Sequence, residues 1–201
     1  MSILSRSTPL TRYRVKEDAN LTISGIREAI QAHAFSPADN QQSDVIGHGW
    51  TSSKNFTDTE FAESDFIYGD YVLIAFRIDE AKVPARVLEM ETQRQCKSIM
   101  ETMNYDRLSA RARREIKEAT HAELKKRCLA SINVTDIAWN VSTGIVYINA
   151  TGRKMCEQIE AYFKTTFGLT IIPALAYSEA ERSLPDHSAA LRELRPMNWG
   201  F

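Results

Sequence analysis

The sequence has little cysteine and no long apolar run. Its three cysteines, Cys96, Cys128 and Cys156, are widely spaced and form no CxxC pair, so the sequence predicts neither a disulfide framework nor a zinc site. The longest apolar run lies near residues 71–76, far short of the roughly 20 residues that span a bilayer. The N-terminus has no basic start followed by an apolar core, so no export signal is predicted. These absences favour a cytoplasmic protein with reduced thiols.

The chain also lacks an excess of one charge sign. Its 25 Lys and Arg residues nearly balance 26 Asp and Glu residues, which excludes a protein that coats DNA with a uniformly basic surface. The charges are nevertheless segregated: residues 107–127 hold eight basic and three acidic residues, a net charge of +5, which leaves −6 for the rest of the chain. Such segregation is typical of a binding face. The basic residues of this segment are Arg107, Arg111, Arg113, Arg114, Lys117, Lys125, Lys126 and Arg127.

Strand and helix patterns alternate along the 201 residues. Apolar and β-branched patterns predict strands over residues 10–15, 71–78, 139–141, 145–149 and 169–172. Helical spacing and caps predict a helix that starts at Asn20 or Thr22 and ends near His33, and further helices over residues 84–104 and 109–129. A last helix is predicted from a cap at Thr151 through Phe163, closing at Phe167-Gly168. Residues 38–66 are predicted to form loop with one short strand.

The mixed order of these elements predicts an α+β fold. The hairpin signal at residues 142–144 indicates a mixed, partly antiparallel sheet, packed with helices that include a long basic helix. We expect one domain over residues 1–180, or two subdomains divided near the helical segment 83–130. A polar C-terminal tail is predicted over residues 181–201, and its aromatic residues Trp199 and Phe201 indicate that its end docks on another surface.

The basic segment is predicted to be a two-sided helix. At about 100° per residue, one side carries Arg107, Arg111, Arg114, Lys117, His121 and Lys125, and the other carries Leu108, Ala112, Ile116 and Ala119. The first side forms a row about 27 Å long, and duplex DNA carries a phosphate about every 1.7 Å of its axis. The chain has neither a Cys/His finger nor a helix-turn-helix pair, so contacts of this kind hold the duplex without reading its sequence. The alternative is a solvated helix face with ion pairs such as Arg111–Glu115 and Arg114–Glu118.

Six short motifs resemble, in the same order, motifs of the recombination-associated RdgC family. The central motif is Arg107-Leu-Ser109 followed by Arg114-Glu-Ile-Lys-Glu118. The resemblance covers roughly residues 10–177. The other motifs are 33–37 (HAFSP), Gly49-Trp50, 83–88 (VPARVL), 138–148 (AWNVSTGIVYI) and 150–173.

The resemblance implies a fold and a function. It implies an RdgC-like ring-shaped homodimer that encircles double-stranded DNA without sequence preference, associates with the nucleoid and restrains RecA-type recombinase during recombination. We expect no cofactor and no metal. Members of the family are often labelled exonucleases, but the activity that the resemblance implies is binding. We therefore expect a protein that is not an enzyme. Carried over by position, the residues of the inner surface are Arg107, Arg111, Arg114, Lys117, Lys125, Lys126 and Arg127.

Two other functions remain open. Asp70 and the run Glu80-Ala81-Lys82 mimic a metal-dependent nuclease, which needs both carboxylates at one metal; at the two ends of one extended strand they would lie about 33 Å apart. A protein-interaction module that binds a recombinase and ignores DNA is the third hypothesis. His48 is interpreted as a loop histidine beside a packed tryptophan, Ser142-Thr143-Gly144 as a hairpin turn, and the aromatic residues at 162, 163 and 167 as core.

Overall fold

A computed structural model describes residues 3, 8–16, 21–37 and 44–193 of the chain. The described residues form the predicted α+β fold, with an eight-stranded sheet in the order β2-β3-β5-β6-β7-β1-β8 and β4 paired to β5. The strands are β1 (Thr11–Val15), β2 (Ser36–Pro37), β3 (Val45–Ser52), β4 (Ile67–Tyr68), β5 (Tyr71–Glu80), β6 (Ser131–Asn140), β7 (Ile145–Ile148) and β8 (Ile171–Pro173).

Four helices confirm the predicted helical segments and lie within their predicted bounds, and three further short helices are present among the described residues. They are α1 (Ile23–Ala32), α2 (Glu63–Phe66), α3 (Ala85–Met103), α4 (Ala110–Arg127), α5 (Arg153–Phe167), α6 (Ala176–Ser183) and α7 (Ser188–Glu193), with a 3-10 turn over Pro185–His187. None of the helices within the described ranges is both long enough and apolar enough to cross a bilayer.

The chain groups into two compact units. The first consists of Met1–Ala34, Trp50–Phe76 and Thr135–Phe201, and the second of Phe35–Gly49 and Arg77–Val134. The second unit contains the helical segment that the sequence singles out, residues 83–130. We describe each unit by itself.

The hairpin of the first unit confirms the predicted turn. β6 and β7 pair antiparallel, with Asn140 opposite Ile145. Gly144 has a φ of 67°, a left-handed conformation that glycine adopts without steric cost, and the Thr143 N–H donates to Asn140 Oδ1 at 2.9 Å. β1 pairs antiparallel with β7 on one side and with β8 on the other.

The core of the first unit is aromatic. Trp50 and Trp139 are both fully buried, and Trp139 packs edge-on against Phe163 at 5.2 Å between ring centroids. Trp50 lies 5.2 Å from the ring of Tyr162, and its indole Nε1 donates to Thr166 Oγ1 at 2.8 Å. These residues of α5 therefore belong to the core, as the sequence indicates, and do not form an exposed stacking platform for bases.

The segment over residues 181–201 is helical over part of its length and not a plain tail. α6 ends at Ser183, inside this segment, and α7 lies entirely within it. Residues 194–201 lie outside the described residues, and with them Trp199 and Phe201. Within α6, Glu179 accepts two hydrogen bonds from the Arg14 guanidinium of β1, one of them at 2.8 Å from Nε.

This ion pair predicts a dependence of stability on acid. The hydrogen bonds from Arg14 lower the pKa of Glu179 to about 2. Because the pKa is depressed in the folded state, the stabilisation is present above the ordinary glutamate pKa and is lost as the pH falls through about 2. We expect Glu179→Gln to reduce the free energy of unfolding at pH 7 by about 1–2 kcal/mol. Denaturant titrations of both proteins should show that this difference shrinks between pH 5 and pH 2; a constant difference would contradict the ion pair's role.

The region over residues 38–66 contains more regular structure than predicted. The sequence predicts loop with one short strand, whereas β3 is eight residues long and α2 follows it. Two glycines interrupt the β3 sequence, Gly47 and Gly49, and glycine weakens a strand signal. Gly47 is required by packing, since a Cβ there would lie 2.9 Å from the Phe35 ring.

Candidate nucleic-acid interface

Two long helices, α3 and α4, form a hairpin in the second unit. α3 ends at Asn104, whose φ of 53° places it in the left-handed region that asparagine tolerates better than most residues. α4 begins after Ser109, whose hydroxyl accepts a hydrogen bond from the Ala112 N–H at 3.1 Å. This N-cap satisfies one of the free backbone N–H groups of the first turn. The sequence predicts that the helix starts at or just before Ser109, which the structure shows to be the N-cap, and the helix ends two residues before the predicted position 129.

The side of α4 that packs on the protein is a seam of residues spaced by four. Thr120 is the buried residue of the helix, with 1% of its surface exposed. Its hydroxyl lies 2.8 Å from Gln95 Oε1 on α3 and 2.6 Å from the Ile116 carbonyl oxygen. Ala112, Ile116 and Leu124 are partly buried in the same seam. The prediction that Ala119 faces the protein is wrong, because Ala119 is exposed; the seam follows 112, 116, 120 and 124.

Most of the predicted DNA-binding residues are exposed on α4. The side chains of Arg111, Arg114 and Arg127 are 89%, 82% and 74% exposed, and Lys117 and Lys126 are exposed as well. Lys125 is partly buried. Arg107 is exposed but precedes the N-cap, Ser109, so the predicted helical row begins at Arg111. From Arg111 to Lys125 the row covers 14 residue steps of about 1.5 Å, so it is about 21 Å long and shorter than predicted.

Three of the arginines make ion pairs within the helix. Arg111 Nε donates to Glu115 and Arg114 Nε to Glu118, each at 2.9 Å; Arg127 donates to Glu123 at 3.0 Å. These are the pairs of the solvated-face alternative. Exposed pairs at this spacing stabilise a helix by only about 0.3–0.5 kcal/mol. The ion pairs of the solvated-face alternative are therefore present. Each pair is too weak to prevent its guanidinium group from binding an anionic ligand.

A second row on α4 consists of positively charged or titratable residues four positions apart. Arg113, Lys117, His121 and Lys125 follow one another at this spacing. Arg113 and Lys117 have no acidic residue three or four positions away along the helix. Like charges at this spacing destabilise a helix by a few tenths of a kcal/mol, about 0.2–0.5 per pair. Arg113 and Lys117 form such a pair, and an anion bound between them would relieve their repulsion.

The row borders a groove between the two helices. The groove has a volume of about 490 Å³ and is lined by Leu88 of α3 and by Arg114, Lys117, Glu118 and His121 of α4. Arg114 and Lys117 are thus brought together at one concave surface, as the helical spacing predicts. His121 and Leu88 also line this groove but are absent from the predicted binding set. Arg113, which is exposed on α4 but does not line the groove, is absent from that set as well. The unbroken spacing of positive residues could have identified Arg113, whereas Leu88 joins them only through the packing of α3 on α4.

The comparison with known proteins decides the family. Residues 9–184 match the protein family described as "Putative exonuclease, RdgC". The chain belongs to the RdgC family. This confirms the resemblance that the six sequence motifs indicate.

Named RdgC relatives share low but extended identity with this chain. It is 25% identical over 162 residues to "Recombination-associated protein RdgC" of Actinobacillus pleuropneumoniae serotype 3 (strain JL03), a match that covers 80% of this chain and 51% of the relative. It is 22% identical over 192 residues to the protein of the same name from Actinobacillus succinogenes (strain ATCC 55618 / DSM 22257 / CCUG 43843 / 130Z), covering 90% of this chain and 61% of the relative. The chain thus spans about half the length of the curated relatives it matches.

The nuclease-like residues of this RdgC chain are separated along one strand. Asp70 is exposed in the turn before β5. Glu80 is the last residue of β5, and the ten residues of this strand are continuous from Tyr71 to Glu80. Among the described residues, no group of three or more His, Cys, Asp or Glu side chains could hold a metal ion. His48 is exposed in β3, which corrects its prediction as a loop residue.

The polar contact in the α3–α4 seam predicts a local stability effect. Thr120→Val keeps the side-chain volume but removes the hydroxyl that contacts Gln95, so the partly buried amide oxygen loses its partner. We expect a loss of about 1–2 kcal/mol in the free energy of unfolding, measured by denaturant titration followed by circular dichroism. Thr120→Ser keeps the hydroxyl and serves as the control; equal losses in both variants would assign the effect to the methyl group instead.

Proposed function

We propose that this RdgC-family chain holds double-stranded DNA by its phosphates, without sequence preference, and is not an enzyme. The observation that carries the proposal is the two-sided α4: Thr120 and its seam pack on α3, while Arg111, Arg114 and Lys117 remain exposed. A rigid helix with one packed side presents its charges at fixed positions along an extended anion. The remaining members of the proposed set are Arg107, Lys125, Lys126 and Arg127.

Membership of the RdgC family supports a role for this binding in recombination. The named relatives are recombination-associated proteins, and we propose the same role here: a nucleoid-associated homodimer that encircles duplex DNA and limits RecA-type recombinase. Multi-angle light scattering with and without a duplex tests the dimer. A monomer in both conditions would contradict a ring made by two copies of this chain.

The decisive experiment is a titration of a fluorescent random-sequence duplex at several salt concentrations. We expect binding that weakens steeply with salt, with a slope of log affinity against log salt of about −0.9 for each phosphate contacted. A second, unrelated duplex sequence should bind equally well, because phosphate contacts carry no sequence information. Absence of binding at low salt would favour the module that binds a recombinase without DNA, which a pull-down from nuclease-treated extract would test.

The same titration with added magnesium tests the exonuclease function. The family description names this activity, and Asp70 with Glu80 and Lys82 is the candidate set. We expect the duplex to stay intact with and without magnesium. Degradation that depends on magnesium and is abolished by Glu80→Ala would replace the binding proposal by the nuclease.

A further inference from the structure

Three arginines of the proposed DNA-binding face each carry a glutamate four residues away. Arg111 pairs with Glu115, Arg114 with Glu118, and Arg127 with Glu123 (the last glutamate lies N-terminal to its arginine). In all three pairs, both partners are more than half exposed. The three glutamates are also the complete set of acidic residues between positions 107 and 127. Every acidic residue of the basic segment is therefore bonded to an arginine proposed to contact DNA.

A carboxylate and a phosphate compete for the same donors. Both offer oxygen acceptors that fit the planar guanidinium group. An arginine whose Nε already donates to a carboxylate must release it, or share its donors, before it binds a phosphate with full geometry. The carboxylate charge also repels the phosphate that approaches.

Two neighbouring residues differ from these arginines. Arg113 and Lys117 have no acidic residue at helical spacing, and both are exposed. On the same helix, Arg113 and Lys117 can bind a phosphate without displacing a carboxylate, whereas the three paired arginines must first release one.

We propose that Glu115, Glu118 and Glu123 are resident competitors of the DNA phosphates that hold the affinity of α4 below what its cations could provide. The inference rests on the proposed function and adds to it the residues that set affinity and salt dependence. Arg113 and Lys117 make contacts that need no exchange, and Arg111, Arg114 and Arg127 add contacts only as their carboxylates are displaced. Binding remains readily reversible, which suits a protein that moves along DNA or is removed from it.

The test replaces the three glutamates by glutamine in the full chain. We expect the variant with Glu115→Gln, Glu118→Gln and Glu123→Gln to bind a random duplex about tenfold more tightly at low salt, each pair contributing about a factor of two. Its salt slope should become steeper by up to about 0.9 for each arginine that gains a phosphate. Circular dichroism establishes that α4 stays helical.

Two further variants separate local competition from a general charge effect. Glu157→Gln removes one carboxylate from the equally exposed Arg153–Glu157 pair on α5, at 2.7 Å, and should leave DNA affinity unchanged, whereas each glutamate of α4 is expected to contribute about a factor of two. Aspartate at positions 115, 118 and 123 keeps the charge but shortens the side chain that reaches the arginine. The aspartate variant should bind the random duplex measurably more tightly than wild type, but less tightly than the triple glutamine variant.

The outcomes are distinct. If wild type binds and the triple glutamine variant binds no better, the glutamates are not competitors and the inference fails while the proposed function stands. If Glu157→Gln gives the same gain per charge, or the aspartate variant binds as wild type does, net charge accounts for the effect and exchange is overturned. If neither wild type nor the glutamine variant binds at low salt, the proposed function fails and the inference fails with it.

Discussion

Reversing three charges of α4 is expected to abolish DNA binding. A variant with Arg111→Glu, Arg114→Glu and Lys117→Glu replaces three exposed positive charges of the proposed DNA-binding set with three negative ones. We expect a loss of affinity on the order of a thousandfold near physiological salt, and a salt slope shallower by about 3, because each phosphate contact contributes about 0.9. The duplex titration at several salt concentrations measures both quantities.

The fold should survive these substitutions, since none of the three side chains lies in the seam with α3. Glutamates next to Glu115 and Glu118 do add repulsion along the helix, so a variant with glutamine at all three positions is a necessary companion. It should lose less affinity than the reversed variant but still bind far more weakly than wild type.

A matched control lies on another helix. Arg153, Lys154 and Lys164 are exposed on α5, and reversing these three charges changes the net charge of the protein by the same amount. This control should lose affinity only through the general field, by less than about tenfold at physiological salt. Equal losses in the two reversed variants, or wild-type binding by the α4 variant, would show that the interface is misplaced.

The largest expected effect on stability comes from Trp50. Trp50 is fully buried, and its ring contacts Phe76, Tyr162 and Phe167 with centroids 5.4, 5.2 and 6.2 Å away. Trp50→Ala leaves a cavity at this centre and should lower the free energy of unfolding by about 3–5 kcal/mol. Small domains have only about 5–15 kcal/mol in total, so thermal unfolding should shift strongly or the variant should fail to fold.

A gentler pair of substitutions keeps this prediction testable. Trp50→Phe loses the hydrogen bond from Nε1 to Thr166, whose hydroxyl retains its contact with the Tyr162 carbonyl at 2.9 Å. Trp139 is equally buried, but its Nε1 has no hydrogen-bond partner within the described part of the chain. An unsatisfied buried donor costs about 1–3 kcal/mol, so Trp139→Phe removes that cost together with part of the ring.

We therefore expect Trp139→Phe to be less destabilising than Trp50→Phe by about 1–2 kcal/mol. Denaturant titrations of the two variants under identical conditions measure the difference. A larger loss for Trp139→Phe would mean that its ring volume outweighs the unsatisfied donor.

Local signals in the sequence were sufficient for several elements. Ser109 predicts the start of α4 because its hydroxyl can accept a hydrogen bond from the first turn, and the structure shows that bond. Gly144 predicts the β6–β7 hairpin because glycine adopts a positive φ at little cost. The apolar run after Tyr71 predicts β5, although the strand continues two residues further, to Glu80.

Elements with weak local signals were missed or shortened. β6 is predicted over residues 139–141 but begins at Ser131. Its first four residues are exposed and carry no buried pattern that would mark a strand. β3 contains two glycines, and its strand conformation depends on neighbouring strands in the sheet, which local propensity does not represent.

The candidate interface likewise combines properties that local sequence determines with properties that depend on tertiary packing. The sequence by itself determined that an amphipathic, strongly basic helix begins near Ser109 and covers the rest of the segment to Arg127, because charge and spacing are local properties. Only the tertiary structure decided which positions form the seam, since Thr120 is buried through its contact with Gln95 of α3 while Ala119 is exposed. It also decided that Leu88 joins Arg114, Lys117 and His121 at one groove, because residues about 30 positions apart meet only when two helices pack against each other.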